Sequence, residues 1–365
     1  MRSSSCGALV LVGLFSNATC FGGITLRLLP MPAGAAGGSY ASAVSADGSV
    51  IVGSAGSLGA RWSGNHAEVA PFPLGAVSGD GRTAVGNDFT ASPFHALRWT
   101  DDGVSPLGIT DVFAINYDGS VTVGWTEVAP SNSLYACRQS SSGVEVFGTA
   151  GSRANGVSAD GSVVVGTYYP DPSTSTNRAF RWTGQELQDL GTLPGYSDAY
   201  AYGVAADGTR VVGKCWAMGQ GYRSFVWTVG QGMVDLGLTP GAASTQAEHI
   251  SADGRVVIGQ SNVWTGMGYE LEPFVWVEDE GIMDFRALLD GAGIDLSEWT
   301  DLYLNGLSAD GLTIVGTGYR SADAEAFVVT IPAPSASILL LMAAVGASRR
   351  KRQVAGPVAR SERGF

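Results

Sequence analysis

The alternation of apolar and polar positions repeats seven times along the chain. Each repeat has a short apolar run, an Asp-Gly pair, a second run rich in β-branched residues and a glycine six positions after the aspartate. Such self-similarity is the signature of a repeat architecture. The seven aspartates, spaced by 33, 38, 42, 47, 46 and 57 residues, are Asp47, Asp80, Asp118, Asp160, Asp207, Asp253 and Asp310.

One repeat predicts four short antiparallel strands. In the fourth repeat, an Asp-Gly pair separates apolar runs at 154–158 and 162–166. Asp-Gly in this setting predicts a hairpin with a type I′ turn, and the aspartate is expected to cap that turn. A third strand ends at Trp182, and a fourth follows at 187–190.

A four-stranded sheet that is apolar on both faces has to pack against its neighbours. Four strands in each of seven repeats therefore predict an all-β, seven-bladed β-propeller of four-stranded antiparallel blades. The tryptophans that end most third strands are expected to fill the interfaces between blades. The first strand of each repeat is rich in small residues, so we place it nearest the axis.

The last repeat lacks a fourth strand, and residues 24–29 resemble one that has no repeat of its own. We predict that this N-terminal strand completes the last blade. Three irregularities accompany the pattern: Gln139 and Val329 stand where tryptophan is expected, and the fourth strand of the first repeat is weak, around 69–74. The i, i+3, i+4 spacing of apolar residues within 284–299 predicts a short inserted helix.

Both ends of the chain have the character of targeting segments. Residues 1–22 combine Arg2 with an apolar run and small polar residues, which predicts a secretory signal peptide. Residues 332–365 contain an apolar run at 338–347 and a basic cluster at 349–352. Ten residues rise only about 15 Å as a helix, about half of a bilayer core, and the basic cluster is expected to stay on the cytoplasmic side. We therefore predict transient membrane contact through this tail, with a plain membrane tail as the alternative. Residues 23–331 remain as the propeller domain.

Charge limits the partners. The formal net charge is −12, and leaving out the seven basic residues and the one acidic residue of the two end segments leaves 14 basic and 32 acidic residues, or −18. A surface this acidic repels phosphate backbones, so we expect no nucleic-acid partner.

The repeats also resemble a known family. Arg-Ala-Phe-Arg-Trp at 178–182, followed by Asp-Leu-Gly-Thr-Leu-Pro-Gly at 189–195, is similar to the HAF extracellular repeat of bacterial propeller proteins. The tail resembles a PEP-CTERM sorting signal, with Pro-Ala-Pro at 332–334 in place of Pro-Glu-Pro. The resemblance implies a secreted or cell-surface protein of a Gram-negative-type bacterium, and it implies no reaction.

Residues that carry catalytic chemistry are sparse. The three histidines, His66, His95 and His249, share no motif, and Cys137 and Cys215 fall in repeats that are not adjacent, so we expect no bridge between them. No Cys/His cluster, calcium loop or phosphate loop is present, which predicts neither metal nor cofactor. The aspartates recur as turn residues, so we assign no catalytic residue.

Aromatic residues in the loops between second and third strands are the best functional signal. Variable loops on a rigid scaffold commonly carry recognition. We predict a monomeric, non-enzymatic binding or structural protein whose partner is envelope or matrix polysaccharide or a surface protein, although these rings could instead only cover blade edges. The alternative is a polysaccharide hydrolase or lyase, which two carboxylates and an arginine at the axis would favour. The candidate ligand-binding residues are Trp125, Tyr168, Tyr169, Trp216, Tyr222, Trp264 and Tyr269.

Overall fold

The computed structural model describes residues 23–88, 95–171, 173–266, 268–321 and 323–332. Within these ranges, the strands form seven four-stranded sheets, and neighbouring strands in each sheet are antiparallel. The predicted seven-bladed β-propeller is confirmed. The predicted signal peptide and residues 333–365 of the predicted tail lie outside the described residues.

Blades one to six each consist of four consecutive strands, and blade seven takes its outermost strand from the N-terminus. The first strands are β1 (Thr25–Leu28), then blade one, β2 (Ser39–Val44), β3 (Val50–Ala55), β4 (Leu58–Ser63) and β5 (His66–Ala70), and blade two, β6 (Leu74–Val77), β7 (Ala84–Asp88), β8 (His95–Thr100) and β9 (Gly103–Pro106). Blade three has β10 (Asp111–Ile115), β11 (Thr122–Val128), β12 (Ser133–Ser140) and β13 (Gly143–Phe147), and blade four has β14 (Arg153–Val157), β15 (Val164–Tyr168), β16 (Arg178–Trp182) and β17 (Leu187–Asp189). Blade five has β18 (Asp198–Val204), β19 (Arg210–Ala217), β20 (Gly221–Thr228) and β21 (Gly232–Asp235). Blade six has β22 (Ala242–Ile250), β23 (Val256–Trp264), β24 (Tyr269–Val277) and β25 (Gly281–Asp284), followed by α1 (Phe285–Gly291) and by β26 (Trp299–Leu307), β27 (Thr313–Arg320) and β28 (Asp323–Thr330) of blade seven.

An apolar cluster fills the space between each pair of adjacent blades. Between blades three and four, for example, Val121 and Val123 pack with Phe180 and Trp182. Equivalent clusters occupy the other interfaces, including those between blades six and seven and between seven and one. Trp62, Trp182 and Trp227 are buried at these interfaces, as predicted. Each sheet therefore buries both of its faces by packing against the two neighbouring sheets of a closed ring.

The N-terminal strand closes this ring. β1 pairs with β28 in the register Thr25 to Thr330 through Leu28 to Phe327. Directly after β1, Pro30 accepts a 2.7 Å hydrogen bond at its carbonyl oxygen from the indole Nε1 of Trp62 in blade one. The prediction that residues 24–29 complete blade seven is thus confirmed.

The Asp-Gly turns differ from the predicted type I′ geometry. A type I′ turn needs positive φ at both central residues, but only the glycine has it, with Gly48 at φ 75° and its six equivalents between 71° and 76°. In blade one, Gly48 N–H donates to Ser45 O at 3.0 Å, while Asp47 Oδ1 accepts from Ser45 Oγ at 2.7 Å and from Ser49 N at 2.9 Å. These bonds lower the pKa of Asp47. The aspartate therefore caps its turn as expected, within a different turn type.

The seven turns are also joined by backbone hydrogen bonds. Each turn donates an N–H to a carbonyl oxygen of the turn in the next blade, and the seventh turn donates back to the first. All seven bonds are 2.8–3.1 Å long, and together they form one closed circle. We name this end of the ring the Asp-Gly face. The bonds run from Ala46 to Gly79, Asp80 to Tyr117, Tyr117 to Ala159, Ala159 to Ala206, Ala206 to Ala252, Ala252 to Ala309 and Ala309 to Ala46.

A β-bulge explains the second glycine of each repeat. Every first strand shifts register by one residue against its second strand, as at Ala41/Ala43 in blade one. The bulge brings the carbonyl oxygen of Tyr40 so close to Gly53 that a Cβ there would overlap it. The same overlap would occur at the equivalent glycine of the six other blades, so the position tolerates no side chain.

Third-strand arginines add further contacts between blades. Arg61, Arg138 and Arg181 each donate to the glycine carbonyl of the next blade's Asp-Gly turn, at 3.3, 3.0 and 2.8 Å. Arg98 of blade two holds the same repeat position, but its Nε and one terminal nitrogen are buried without a hydrogen-bond partner among the described residues.

The irregular segments follow the predictions in part. The predicted helix is α1, whose first turn is capped by Asp284 accepting from Ala287 N at 3.1 Å. The fourth strand of blade one is β5, whereas Leu74 begins β6, so the predicted segment 69–74 spans two blades. Cys137 and Cys215 are buried free thiols. Among the described residues, no helix is long and apolar enough to cross a membrane.

Candidate functional site

An axial channel of about 610 Å³ runs between the innermost strands. All seven first strands contribute to its wall, which confirms that the small-residue strand of each repeat lies nearest the axis. Most of the wall is backbone and small or apolar side chains. The acidic and basic side chains that line this wall are those of Glu248 and His249.

One position of the first strand differs in chemistry from repeat to repeat at or beside the channel wall. The extra residue of each bulge lies five positions before the repeat aspartate. We name these seven residues the bulge ring. Small residues occupy this position in blades one and two, asparagine occupies it in blades four and seven, and larger side chains occupy it in blades three, five and six. The bulge ring is Ser42, Gly75, Phe113, Asn155, Tyr202, Glu248 and Asn305.

A lysine lies among the bulge-ring residues of blades five and six. Lys214 Nζ donates to Gln246 Oε1 at 2.6 Å and lies 4.3 Å from the ring centre of Tyr222 and 5.4 Å from that of Tyr202. Burial lowers the pKa of Lys214 and raises that of Glu248, and the attraction between the two charges opposes both shifts. Removal from bulk water also lowers the pKa of His249 to about 4, so this imidazole is neutral at physiological pH.

A second cavity, of about 260 Å³, lies beside the channel between blades four and five. It shares Asn155 and Tyr202 with the channel wall, so the two spaces adjoin. It lies at the end of the ring opposite the Asp-Gly face, where hairpins join the second strand of each blade to the third. We name this end of the ring the hairpin face. The side cavity is lined by Gly151, Arg153, Asn155, Thr167, Tyr169, Asn177, Tyr200 and Tyr202.

Hydrogen bonds fix the polar groups of the side cavity. Asp198 Oδ1 accepts from the backbone N and the side-chain Nδ2 of Asn177, at 2.9 and 3.2 Å. Asn155 Nδ2 donates to Ala201 O of blade five at 2.8 Å, which holds this amide at the cavity wall. Burial raises the pKa of Tyr200 to about 12, so its hydroxyl remains a hydrogen-bond donor at all physiological pH values. The arrangement can bind a small polar ligand through hydroxyl and amide groups.

The aromatic residues predicted from sequence do not form one site. Tyr169 lines the side cavity, and Tyr222 lies beside Lys214. Trp125 lies at the edge of the same region, where it stacks under the guanidinium of Arg153, 4.4 Å from the ring centre. Trp216 pairs with Tyr222 across blade five and is half-buried.

The other three predicted residues lie elsewhere. Tyr168 packs edge-on against Phe180, and its hydroxyl donates to Asp189 Oδ2 at 3.3 Å, so it helps fill the interface of blades three and four. Trp264 and Tyr269 face each other across the end of the β23–β24 hairpin, with ring centres 5.1 Å apart and exposed fractions of 55% and 64%. They form an exposed pair that is separate from both cavities.

Sequence reasoning missed most of the side cavity. Arg153, Asn155, Tyr200 and Tyr202 lie on first strands, which the composition marked only as small and inward. A usable signal was the variation at fixed distances from the repeat aspartate. The residues seven positions before it, which we name the rim ring, include charged, aromatic and amide side chains: Tyr40, Pro73, Asp111, Arg153, Tyr200, Gln246 and Tyr303.

The signature predicted for a polysaccharide-cleaving enzyme is not met in the described structure. Among the described residues that line the channel, Glu248 is the one carboxylate, and the side cavity carries an arginine without a lining carboxylate. In the same described ranges, no three His, Cys, Asp or Glu side chains are grouped so that they could hold a metal ion.

Comparison with known proteins supports the fold. No family model matches the chain, and no curated protein matches it. The acylaminoacyl peptidase of Pyrococcus horikoshii is similar in structure, with a TM-score of 0.54 and 10% identity over 83% of this chain and 54% of that one. TolB from Acinetobacter baumannii (TM-score 0.46, 14% identity) and a putative TolB from Agrobacterium tumefaciens (0.48, 15%) also resemble it. These two matches cover 68% and 81% of this chain and 63% and 91% of theirs, so this chain spans less than two thirds of the Acinetobacter protein.

Proposed function

We propose that this protein is a non-enzymatic binding propeller of the bacterial cell envelope or outer surface, and that it binds polysaccharide at the hairpin face. The observation that carries the proposal is the side cavity, where three tyrosines and two asparagines surround a space of about 260 Å³. This is slightly smaller than the sites that hold drug-sized molecules, and it suits one sugar unit of a longer chain.

The lining chemistry supports a sugar ligand. Aromatic rings pack against the apolar faces of sugars, and buried tyrosines offer both a ring and a hydroxyl. Asn177, held by Asp198, and Asn155, held by the next blade, present amide groups in fixed directions. A site whose polar groups are held before binding loses less entropy when the ligand arrives.

The proposed location rests on the two ends of the chain. Residues 1–22 have the pattern of a secretory signal peptide, and residues 332–365 resemble a PEP-CTERM sorting signal. The HAF-like repeats belong to the same proposal, because a secreted propeller is what that resemblance implies.

The test uses polysaccharide binding by the secreted chain and one substitution matched by repeat position. Tyr200 and Tyr303 both lie seven residues before their aspartates, but only Tyr200 lines the side cavity. Tyr200→Ala is expected to weaken binding about 10-fold through lost stacking, whereas Tyr303→Ala in blade seven leaves it unchanged. Equal effects of the two variants, or no polysaccharide bound across a panel of envelope and matrix glycans, would refute the proposal. Capture of a surface protein that Tyr200→Ala abolishes would replace polysaccharide with protein as the partner.

A further inference from the structure

Arg153 stands out among the arginines of the propeller. In the described residues, seven arginines form ion pairs with carboxylates. Six others lie outside these pairs, and of the six Arg153 is the one that lines the channel or the side cavity. Its side chain is exposed and makes no ion pair or hydrogen bond with the described residues, although the folded part of the chain carries 32 acidic residues. In so acidic a protein, an arginine that remains unpaired at the rim of a cavity calls for an explanation.

The indole of Trp125 holds this arginine in place. The guanidinium carbon of Arg153 lies 4.4 Å from the ring centre of Trp125, across the interface of blades three and four. Stacking uses the flat face of a guanidinium and leaves its N–H donors free at the edges. The donors of Arg153 are therefore positioned at the wall of the side cavity before any ligand is bound.

Asp111, on the neighbouring blade, forms no ion pair with the arginine. Asp111 is close enough for the positive charge of Arg153 to act on it, but the two form no ion pair. Burial is the largest influence on Asp111 and raises its pKa, which favours the neutral carboxyl. Because no ion pair joins Asp111 to Arg153, the donors of this guanidinium remain open to a ligand at the cavity wall.

We propose that the side cavity binds an acidic sugar, with the ring of a uronic acid against the tyrosines and its carboxylate on Arg153. The inference rests on the proposed function and specifies its ligand class. A guanidinium edge matches the two oxygens of a carboxylate in a bidentate pair. Tyr169, Tyr200 and Asn155 line the same cavity, and in the proposed complex their hydroxyl and amide groups bond the hydroxyl groups of the sugar ring.

The experiment measures binding of the secreted chain to oligogalacturonate and to its methyl ester, in which each carboxylate has lost its charge and gained a methyl group. The wild-type protein is expected to bind the acid at least about 10-fold more tightly than the ester. Arg153→Gln should remove most of this difference, because a charge-assisted bidentate pair corresponds to about 10- to 100-fold in affinity. Arg153→Lys keeps the positive charge but loses the paired donors of the guanidinium. Its preference for the acid over the ester should therefore fall between those of the wild type and Arg153→Gln.

A matched control and two outcomes keep the two proposals separate. Arg82→Gln removes one exposed positive charge at the Asp-Gly face and is expected to change nothing. Equal binding of acid and ester, unaffected by Arg153→Gln, would overturn the acidic-sugar inference while leaving polysaccharide binding intact. If neither form binds and neutral glycans also fail, both proposals are wrong. Since Arg153 is exposed, an unchanged melting temperature of Arg153→Gln checks that the variant is folded.

Discussion

The two faces of the ring are built from the same seven repeats and use them in opposite ways. At the Asp-Gly face, every blade repeats one turn, one glycine at positive φ and one backbone hydrogen bond to the next blade. At the hairpin face, the rim ring changes from tyrosine to proline, aspartate, arginine and glutamine around the circle. Backbone hydrogen bonds complete a full circle at the Asp-Gly face, whereas the contacts between blades at the hairpin face, such as that of Asn177 with Asp198, differ from one pair of blades to another.

This difference shows which residues of a repeat protein to examine for function. A residue that recurs in all seven blades, such as the turn aspartate, has a structural role in each of them. A position that keeps its place in the repeat but changes its chemistry, as Arg153 and Tyr200 do, marks a surface on which recognition can be built. The variable positions that line the side cavity belong to blades four and five, where Arg153, Asn155, Tyr200 and Tyr202 lie.

Deleting residues 23–31 should have the largest effect on the stability of the ring. The deletion removes β1 from blade seven, exposes the two apolar clusters that contain Ile24 and Leu29, and takes away the acceptor of Trp62 Nε1. We expect the melting temperature to fall by about 10 °C or more and the unfolding transition to broaden, because losses above about 4 kcal/mol have this effect in a domain of this size. Differential scanning calorimetry against a chain beginning at residue 23 checks it, and an unchanged melting curve would argue against closure.

A pair of alanine substitutions compares two glycines in the same blade. Gly161 in the Asp-Gly turn has φ 74°, and a Cβ there would lie 2.7 Å from Val121 Cγ2 of blade three. Gly184 has φ 90° and nothing within 4 Å. Both changes should lower the free energy of unfolding by about 1–2 kcal/mol through backbone strain. Gly161→Ala should lower it by about 1–3 kcal/mol more, because the new methyl group overpacks against blade three. Denaturant unfolding of both variants measures the difference, and equal losses would contradict a role of this turn in blade packing.

The fold was predictable from sequence because its determinants are local. Asp-Gly turns, apolar runs and the terminal tryptophans act over ten or so residues, and seven copies reinforce one another. The turn type was not predictable, since it depends on how Ser45 and Asp47 share hydrogen bonds once the strands are paired. The bulge was also beyond the sequence pattern, because it is a shift in register between two strands that each alternate normally.

The candidate site was predictable only in part for the same reason. Loop aromatics were a reasonable choice, and Tyr169 and Tyr222 do lie in the region of the side cavity and Lys214. Arg153, Asn155 and Tyr200 became recognisable only when the repeats could be aligned on the bulge. Trp125 shows the limit of such reasoning, because it was predicted to contact ligand and instead supports an arginine that faces the cavity.

Two adjacent ionisable residues of the channel wall, Glu248 and His249, should give pH dependences of opposite sign. The pKa of His249 is about 4 in the fold and about 6.5 when unfolded, so its contribution is complete above pH 6.5 and is lost as the pH falls towards 4. The loss is at most about 3 kcal/mol, and water in the channel reduces it. Glu248 has a raised pKa in the fold, so its contribution is complete below its unfolded value and is lost as the pH rises through the folded value.

Urea unfolding between pH 4 and 8 separates these two contributions. Relative to the wild type, His249→Gln should lose less stability between pH 6.5 and 4, and Glu248→Gln should lose less as the pH rises above about 4.5. Parallel pH profiles for the wild type and both variants would show that neither group is held away from water.

The smallest expected effect compares two arginines that share one repeat position. Arg181 Nε donates to Gly208 O at 2.8 Å, so Arg181→Met should cost about 1 kcal/mol by removing a hydrogen bond between blades four and five. Arg98 has buried nitrogens without partners, and burial lowers its pKa, so Arg98→Met should be neutral or stabilising. Thermal unfolding of the two variants measures the contrast. If Arg98→Met destabilises the protein as much as Arg181→Met, the packing of the arginine stems rather than the bond to the next turn explains why arginine recurs here.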